Sequence, residues 1–459
     1  MAGEGLSIKT GRALFLCALT GLVAGLAAAG FYWLLETARF YLSESLAHLS
    51  PVLAAGEVAL YPASRHAEPL RWVLLALPAL GGLLASLLVK WFAPTAGGHG
   101  TDAAICAYHR SAGRVPFAVV PVKAVASALV IGSGGSAGCE GPVTLIGAGC
   151  GSTIAGLLKL DAAERRILMA AGLAAGVGAI FRAPLAGAIF GAEVLYSGLD
   201  IEYEVLMPSL VASTVAYTVF ALFFGWQPLF VMPEYTFDNA LKLLPYLVLA
   251  LVVALGAKFY ILVFRKTESV CRAWQMPVWV KPGIGGVLTG LIGFFLPDVL
   301  GSGYGLIQQA LSVHGPLAGR FGELSLAMLL LIFVGKIFAT SFTVGSGGSG
   351  GVFGPALVAG SALGAATGLM LMRVFPTLDL HPGAFALVGM AGFLAASIRV
   401  PIAAIIMVSE ITGNHSLLLP SMWVCGIAYW LGNGWTLYRS QVRTRDCSPA
   451  HNQEPAAEA

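Results

Sequence analysis

Apolar positions along the chain fall into two kinds of run. Residues 11–42 and 70–92 are long enough to cross a hydrocarbon layer of about 30 Å. The first follows Lys9 and Arg12 and continues through Phe31-Tyr32-Trp33-Leu34-Leu35. That is too long for a cleaved signal segment, so a single tilted helix is expected. A polar stretch at about 50–69, with Pro51, Pro62 and Pro69, reads as a loop outside the membrane. The pattern then changes. Segments 101–112, 117–131, 141–158, 164–176 and 180–197 are short, apolar and punctuated by glycine. Such pieces predict broken or re-entrant helices, which a membrane tolerates only where protein or a watery cavity covers them. A second set follows at 204–224, 241–264, 279–296, 303–313, 323–341, 354–374, 383–396, 399–412, 416–433 and 434–445. The tail after Asp446 is polar and is expected to be disordered.

Composition agrees with this pattern. Of 459 residues, 57% are hydrophobic and 11% charged, and mean hydropathy is +0.82. Soluble domains carry about 25% charged residues. A soluble enzyme, a nucleic-acid binder and a disordered chain are therefore excluded. A net charge of +3 gives no reason to expect a polyanionic partner. The seven cysteines stand singly, with no pair at metal-ligand spacing, so no disulfide framework, metal or cofactor is implied. Basic residues flank both ends of the apolar region (Lys9, Arg12; Arg439, Arg443, Arg445), which predicts cytoplasmic termini. The 58 glycines exceed what a simple bundle of long helices needs.

The chain contains an internal repeat. Lys123 leads to Gly132-Ser-Gly-Gly-Ser-Ala-Gly-Cys-Glu-Gly-Pro142, and Lys336 leads to Gly345-Ser-Gly-Gly-Ser-Gly-Gly-Val-Phe-Gly-Pro355. Arg182-Ala-Pro184 with Glu193 corresponds to Arg399-Val-Pro401 with Glu410. Gly98-His-Gly100 corresponds to Gly301-Ser-Gly303. A duplicated unit with broken helices is characteristic of transporters and channels, whose site lies at the repeat interface. The expected segments are a terminus at 1–10, repeat halves at 11–225 and 226–445, and a tail at 446–459.

Each copy carries a glycine-rich loop followed by Gly-x-x-Gly-Pro and an apolar helix. Proline suits a first helical turn, where its missing N–H costs nothing. Two helix N-termini with bare N–H groups are therefore expected to face the protein interior and to attract an anion without a lysine. Glu140 lies in the first loop, where the second has Phe353. Ionised, it could occupy the anion site; protonated, it would release it. Lys123 reads either as an electrostatic element of the path or as a snorkelling cation. His99 reads as a contact at a third helix N-terminus or as a structural histidine. Glu193 and Glu410 read mainly as helix-end acceptors, and Arg182 and Arg399 as partners of loop carbonyls. Gly134-Gly-Ser136-Ala-Gly138 fits the nucleophile pattern of serine hydrolases, but the element before it is helical and the match occurs twice.

These residues resemble the CLC family of chloride channels and proton-coupled anion exchangers, in its prokaryotic type without CBS domains. Gly138-Cys-Glu-Gly-Pro142 resembles the family's GREGP motif, Gly351-Val-Phe-Gly-Pro355 its GxFxP motif and, less closely, Gly98-His-Gly100 its GSGIP motif. The resemblance spans about residues 11–445. It implies an all-α polytopic membrane protein of two inverted-topology repeats of tilted and broken helices, and a homodimer with one pathway per subunit. Glu140 would be the protonatable gate. His99, Gly138, Gly141, Gly351, Val352, Phe353 and Tyr438 would surround the anion. His99 replaces the family's serine, which opens selectivity toward nitrate or fluoride. The internal proton glutamate of family exchangers falls on Val194, beside Glu193; Glu202 and Glu204 are candidate substitutes, and Lys123 a candidate for electrostatic tuning. The expected function is voltage- or pH-sensitive passive chloride conduction, with chloride/proton exchange as the alternative, in the cell (inner or plasma) membrane. The partners are a small anion, protons and lipid.

Overall fold

The computed structural model describes residues 2–62, 68–235, 237, 240–313 and 324–452, with backbone alone for 2–10. Among these the chain is helical, with two isolated β-bridges and no strand. The first half comprises α1 (Ala2–Arg39), α2 (Arg71–Phe92), α3 (Gly100–Arg110), α4 (Val119–Gly132), α5 (Glu140–Leu157), α6 (Ala162–Ile180), α7 (Pro184–Glu193) and α8 (Tyr203–Phe224). The second comprises α9 (Leu243–Ala273), α10 (Lys281–Phe295), α11 (Tyr304–Leu311), α12 (Leu326–Gly345), α13 (Phe353–Val374), α14 (Pro382–Ser397), α15 (Pro401–Thr412) and α16 (Leu418–Leu431). A last turn, α17, covers Pro449–Asn452. Six of the described helical stretches are long and apolar enough to span a bilayer; α4, α10, α14, α15 and α16 are apolar but shorter. The chain is an integral, multi-pass membrane protein.

Most boundaries lie within a few residues of the sequence pattern, with three corrections. The helix expected over 180–197 is only Pro184–Glu193, because the chain turns at Val194 to place Tyr196 beside Val442. The helix expected over 241–264 runs on to Ala273, since Arg265, Lys266 and Glu268 continue it beyond the apolar segment. The helix expected over 434–445 is absent. There Gly434 has a left-handed backbone (φ +80°), the Leu437 N–H bonds to the Ser397 carbonyl, and Val442 pairs with Tyr196. The tail after Asp446 is docked as far as Asn452, with Ser448 against His109 and His451 against Glu202. Residues 453–459 lie outside the described set.

The two halves meet around an approximate two-fold axis, and most contacts there occur twice. Gly138 and Gly351 exchange both N–H···O bonds, at 2.9 and 2.7 Å, as an antiparallel bridge. Ser127 bonds Ser349 at 2.9 Å, and Ser136 bonds the repeat-related Thr340 at 3.1 Å. Lys123 donates to the Ala96 and Gly98 carbonyls (3.1 and 2.6 Å), and Lys336 to those of Val299 and Gly301 (3.0 and 2.7 Å). The Glu193 carboxylate accepts from the Ile402 and Ala403 N–H groups (3.0 and 2.7 Å), capping α15, while Glu410 caps α7 through Leu185 and Ala186 (3.2 and 2.8 Å). This reciprocity is the mark of an inverted repeat.

Close helix packing follows from small residues. α5 lies on α6 through Gly147, Gly151 and Gly172, and α13 on α14 through the equivalent Gly360, Gly364 and Gly389. A methyl group at Gly147 would come within 2.1 Å of the Gly172 carbonyl oxygen, and one at Gly364 within 2.2 Å of that of Phe385. α13 is thereby enclosed by protein over most of its length.

Glu193→Ala would leave two buried N–H groups at the start of α15 without acceptors. The expected loss is about 2 kcal/mol or more, read as a lower thermal midpoint of the detergent-solubilised protein. Glu193→Gln, which keeps one acceptor oxygen, should lose less.

Candidate functional site

Three helix N-termini converge where the two glycine loops clasp. α3 begins after His99, α5 at Glu140 and α13 at Phe353. The first N–H groups of each have no acceptor within their own helix and carry the positive end of its dipole. Gly100 approaches α5 so closely that a methyl group there would lie 2.3 Å from the Gly141 carbonyl oxygen, and one at Gly141 would lie 2.8 Å from the Gly351 Cα. Gly141 thus serves the close approach of the three loops.

Glu140 fills the space between α5 and α13 and is 1% exposed. One carboxylate oxygen accepts the Gly354 N–H at 3.1 Å; the other accepts the hydroxyl of Tyr304. The Glu140 carbonyl is taken by the Thr144 hydroxyl at 2.6 Å, which fixes the first turn of α5. The carboxylate therefore sits on the N-terminus of α13, in the place a bound anion would take. Glycine is required around it: a methyl group at Gly138 would lie 1.9 Å from one carboxylate oxygen, and one at Gly354 would lie 2.5 Å from the other.

Near the start of α3 lie His99 and Tyr438, brought together from distant parts of the sequence. Their rings stack with centroids 5.7 Å apart and 26° between planes, and His99 meets Phe264 edge-on. His99 Nδ1 and the Tyr438 hydroxyl are both buried; the hydroxyl lies beside Thr101, and neither atom makes a well-formed hydrogen bond to protein. Two orphaned polar atoms on neighbouring, stacked side chains suit a small polar or anionic guest. The Phe353 ring packs against Phe181 and Phe190, at 5.2 and 5.5 Å. A cavity of about 940 Å³ reaches His99 from one side, lined also by Asp102, Glu268, Ser346, Gly347 and Ser440.

Several sequence expectations are corrected here. Gly138 and Gly351 do not offer their amides to an anion, because each bonds the other's carbonyl. Lys123 does not snorkel: fully buried, it holds the loop before α3, as Lys336 holds the loop before α11. Glu193, by contrast, is the helix-end acceptor that the sequence led us to expect, with both carboxylate oxygens on the N-terminus of α15. Val194 is fully buried, with its carbonyl bonded by Gln441 at 3.0 Å. Glu202 is fully buried against Tyr196 (2.5 Å), His451 (2.7 Å) and Arg445 (3.0 Å). Burial works against its charge, but these partners prevail and hold its carboxyl below the ordinary range. Glu204 is exposed and paired with Arg445 at 2.8 Å. Tyr304 and Gly354 are site residues that motif reading missed. The repeat held the signal for Tyr304, which is the counterpart of Thr101 beside Tyr438.

The family model for voltage-gated chloride channels matches residues 81–433. The chain belongs to the CLC family. It is 34% identical over 366 residues to a protein named H(+)/Cl(-) exchange transporter ClcA from Citrobacter koseri, covering 78% of this chain and 74% of the relative. It is 33% identical over 422 residues to a protein of the same name from Cronobacter sakazakii, covering 90% and 84%. A relative from Ralstonia nicotianae, 30% identical over 362 residues and covering 78% of this chain and 82% of its own, is named a putative chloride channel protein, ClcB-like. Among solved structures, a slow cyanobacterial Cl−/H+ antiporter superposes with a TM-score of 0.78 at 23% identity, covering 93% of this chain and 96% of its own. A CLC-type fluoride/proton antiporter gives 0.77 at 21%, covering 95% and 99%. These two likenesses carry the fold.

Gly354→Ala places a methyl group against the Glu140 carboxylate and should expel it from the N-terminus of α13. The expected outcome is severalfold faster chloride release from proteoliposomes than wild type at alkaline pH.

Proposed function

We propose that this CLC protein exchanges chloride for protons, with Glu140 serving both as the plug of the anion path and as the carrier of the proton. The observation that carries the reading is the Glu140 carboxylate on the Gly354 N–H. An ionised carboxylate there competes with a permeating anion for the same helix N-terminus. Protonation removes the charge that holds it, so anion passage and proton binding draw on one position. The relatives named as H(+)/Cl(-) exchange transporters support exchange over the passive conduction expected from sequence. In this scheme the anion leaving Glu140 is met by the N–H groups of Val352 and Phe353, then by Tyr438 and by His99, which lines the large cavity. The imidazole of His99, in the place of the family's serine, makes the selectivity among chloride, nitrate and fluoride a property of this site.

A second reading, passive and voltage-sensitive chloride conduction, has one observation in its favour. The position of the family's internal proton glutamate is the apolar Val194, and the neighbouring Glu202 is held as an anion by Arg445 and its other partners. We further place the chain as a homodimer in the cell (inner or plasma) membrane with both termini cytoplasmic. Family membership supports the dimer, and Arg439, Arg443 and Arg445 beside the last span support the orientation.

Chloride and proton fluxes measured in the same proteoliposomes under a chloride gradient test the assignment. Exchange predicts uphill proton movement coupled to chloride; chloride flux without protons would establish the second reading. Glu140→Gln should abolish proton movement and leave chloride flux independent of pH.

A further inference from the structure

Glu140 has two holders, and only one of them is a helix N-terminus. The other is Tyr304, the first residue of α11. Tyr304 is 5% exposed, and its ring stands edge-on against Phe230, with centroids 5.9 Å apart. Its hydroxyl donates to the Glu140 carboxylate and lies 3.2 Å from the Cys139 sulfur. A phenol has one proton to give. A carboxylate is the stronger acceptor, so the Tyr304 proton goes to Glu140, and the Cys139 thiol can donate to the phenol oxygen.

Tyr304 also lines a small cavity of about 60 Å³ with Glu36, Arg39, Ser43 and Glu57. Such a space holds about two waters. It lies at the end of α2 opposite the large cavity: Leu300, on its wall, packs against Leu74 and Leu77, whereas the large cavity touches Ser86, Val89 and Lys90. Tyr304 therefore stands between Glu140 and this small cavity, on the side away from the large one.

We propose that Tyr304 is a positioning residue of the gate, a latch whose hydroxyl holds the ionised Glu140 carboxylate on the N-terminus of α13 and releases it when Glu140 takes up a proton. The proposal rests on the reading of Glu140 as the protonatable plug. The donor favours the charged, plugged form, so its loss should let the gate open at higher pH. The other titratable or charged groups around the pair are Cys139 on the same loop, Lys336 from α12, Glu36, Arg39 and Glu44 from α1 and its continuation, and Glu57 from the loop after it. Tyr260 and Tyr438 lie on the inner side. Lys336 is held by the Val299 and Gly301 carbonyls, Arg39 by Glu36 at 2.7 Å and Glu44 at 3.6 Å, and Glu57 by the Ala54 N–H at 2.6 Å. None of these charged-group contacts involves the Tyr304 hydroxyl, so a Tyr304→Phe change removes the latch and, apart from the Cys139 thiol's contact with the phenol oxygen, leaves the surroundings in place.

The test is the pH profile of chloride turnover in proteoliposomes for wild type, Tyr304→Phe, Glu140→Gln and the double variant. Phenylalanine keeps the ring and its packing on Phe230. The expected result is a half-maximal pH about one unit higher in Tyr304→Phe, equivalent to about tenfold in proton affinity. The double variant should show the same flat profile as Glu140→Gln. A Tyr304→Phe profile with an unmoved midpoint, whatever its amplitude, overturns the latch while leaving Glu140 as the gate. A Glu140→Gln profile that still follows pH overturns the reading of the gate, and the latch with it.

Discussion

A helix that begins inside a membrane leaves backbone N–H groups with neither water nor a preceding turn to receive them, and this structure is organised around that deficit. α5 and α13 both begin in the protein interior, after glycine loops that clasp through the reciprocal Gly138–Gly351 bonds. The clasp satisfies part of the loop backbone and fixes where the remaining N–H groups point. Glu140, Tyr438 and His99 are arranged around what is left unsatisfied.

The rest of the framework applies the same remedy in pairs. Glu193 and Glu410 each cap a helix of the opposite repeat, and Lys123 and Lys336 each gather two loop carbonyls ahead of a short helix. A buried charge is costly in this environment unless its partners are supplied by geometry. Here the partners are backbone groups, which an inverted repeat presents twice. These charged residues are engaged by backbone groups of the architecture, although their residue types suggest a role in chemistry.

The candidate site lies where the symmetry is broken. Glu140 stands opposite Phe353, His99 opposite Ser302, Tyr304 opposite Thr101 and Val194 opposite Ile411. The first three differences place a titratable group on one side of the axis and a different group on the other, while the fourth exchanges one apolar residue for another. A symmetric scaffold thereby acquires two unlike cavities: a large one reaching His99, and a small one behind Tyr304.

Much of this was legible in the sequence. The apolar runs located the long spans, because a bilayer demands length and hydrophobicity within one segment. The duplicated Gly-x-x-Gly-Pro loops, the glutamate inside the first of them and the Arg-x-Pro pairs are local patterns, and they located the repeat and drew attention to Glu140. What the sequence could not determine was which donor meets which acceptor across the axis. Gly138 and Gly351 read as open amides until the fold joined them to each other. Tyr304 is one tyrosine among thirteen until α11 carries it to Glu140, 164 positions away. The stretch 434–445 reads as helix, yet it takes its shape from Ser397 and Tyr196 in other segments. Hydrophobic periodicity and motif spacing are properties of neighbours in the chain, whereas hydrogen-bond pairing among buried groups is decided by neighbours in space, which only the packed helices supply.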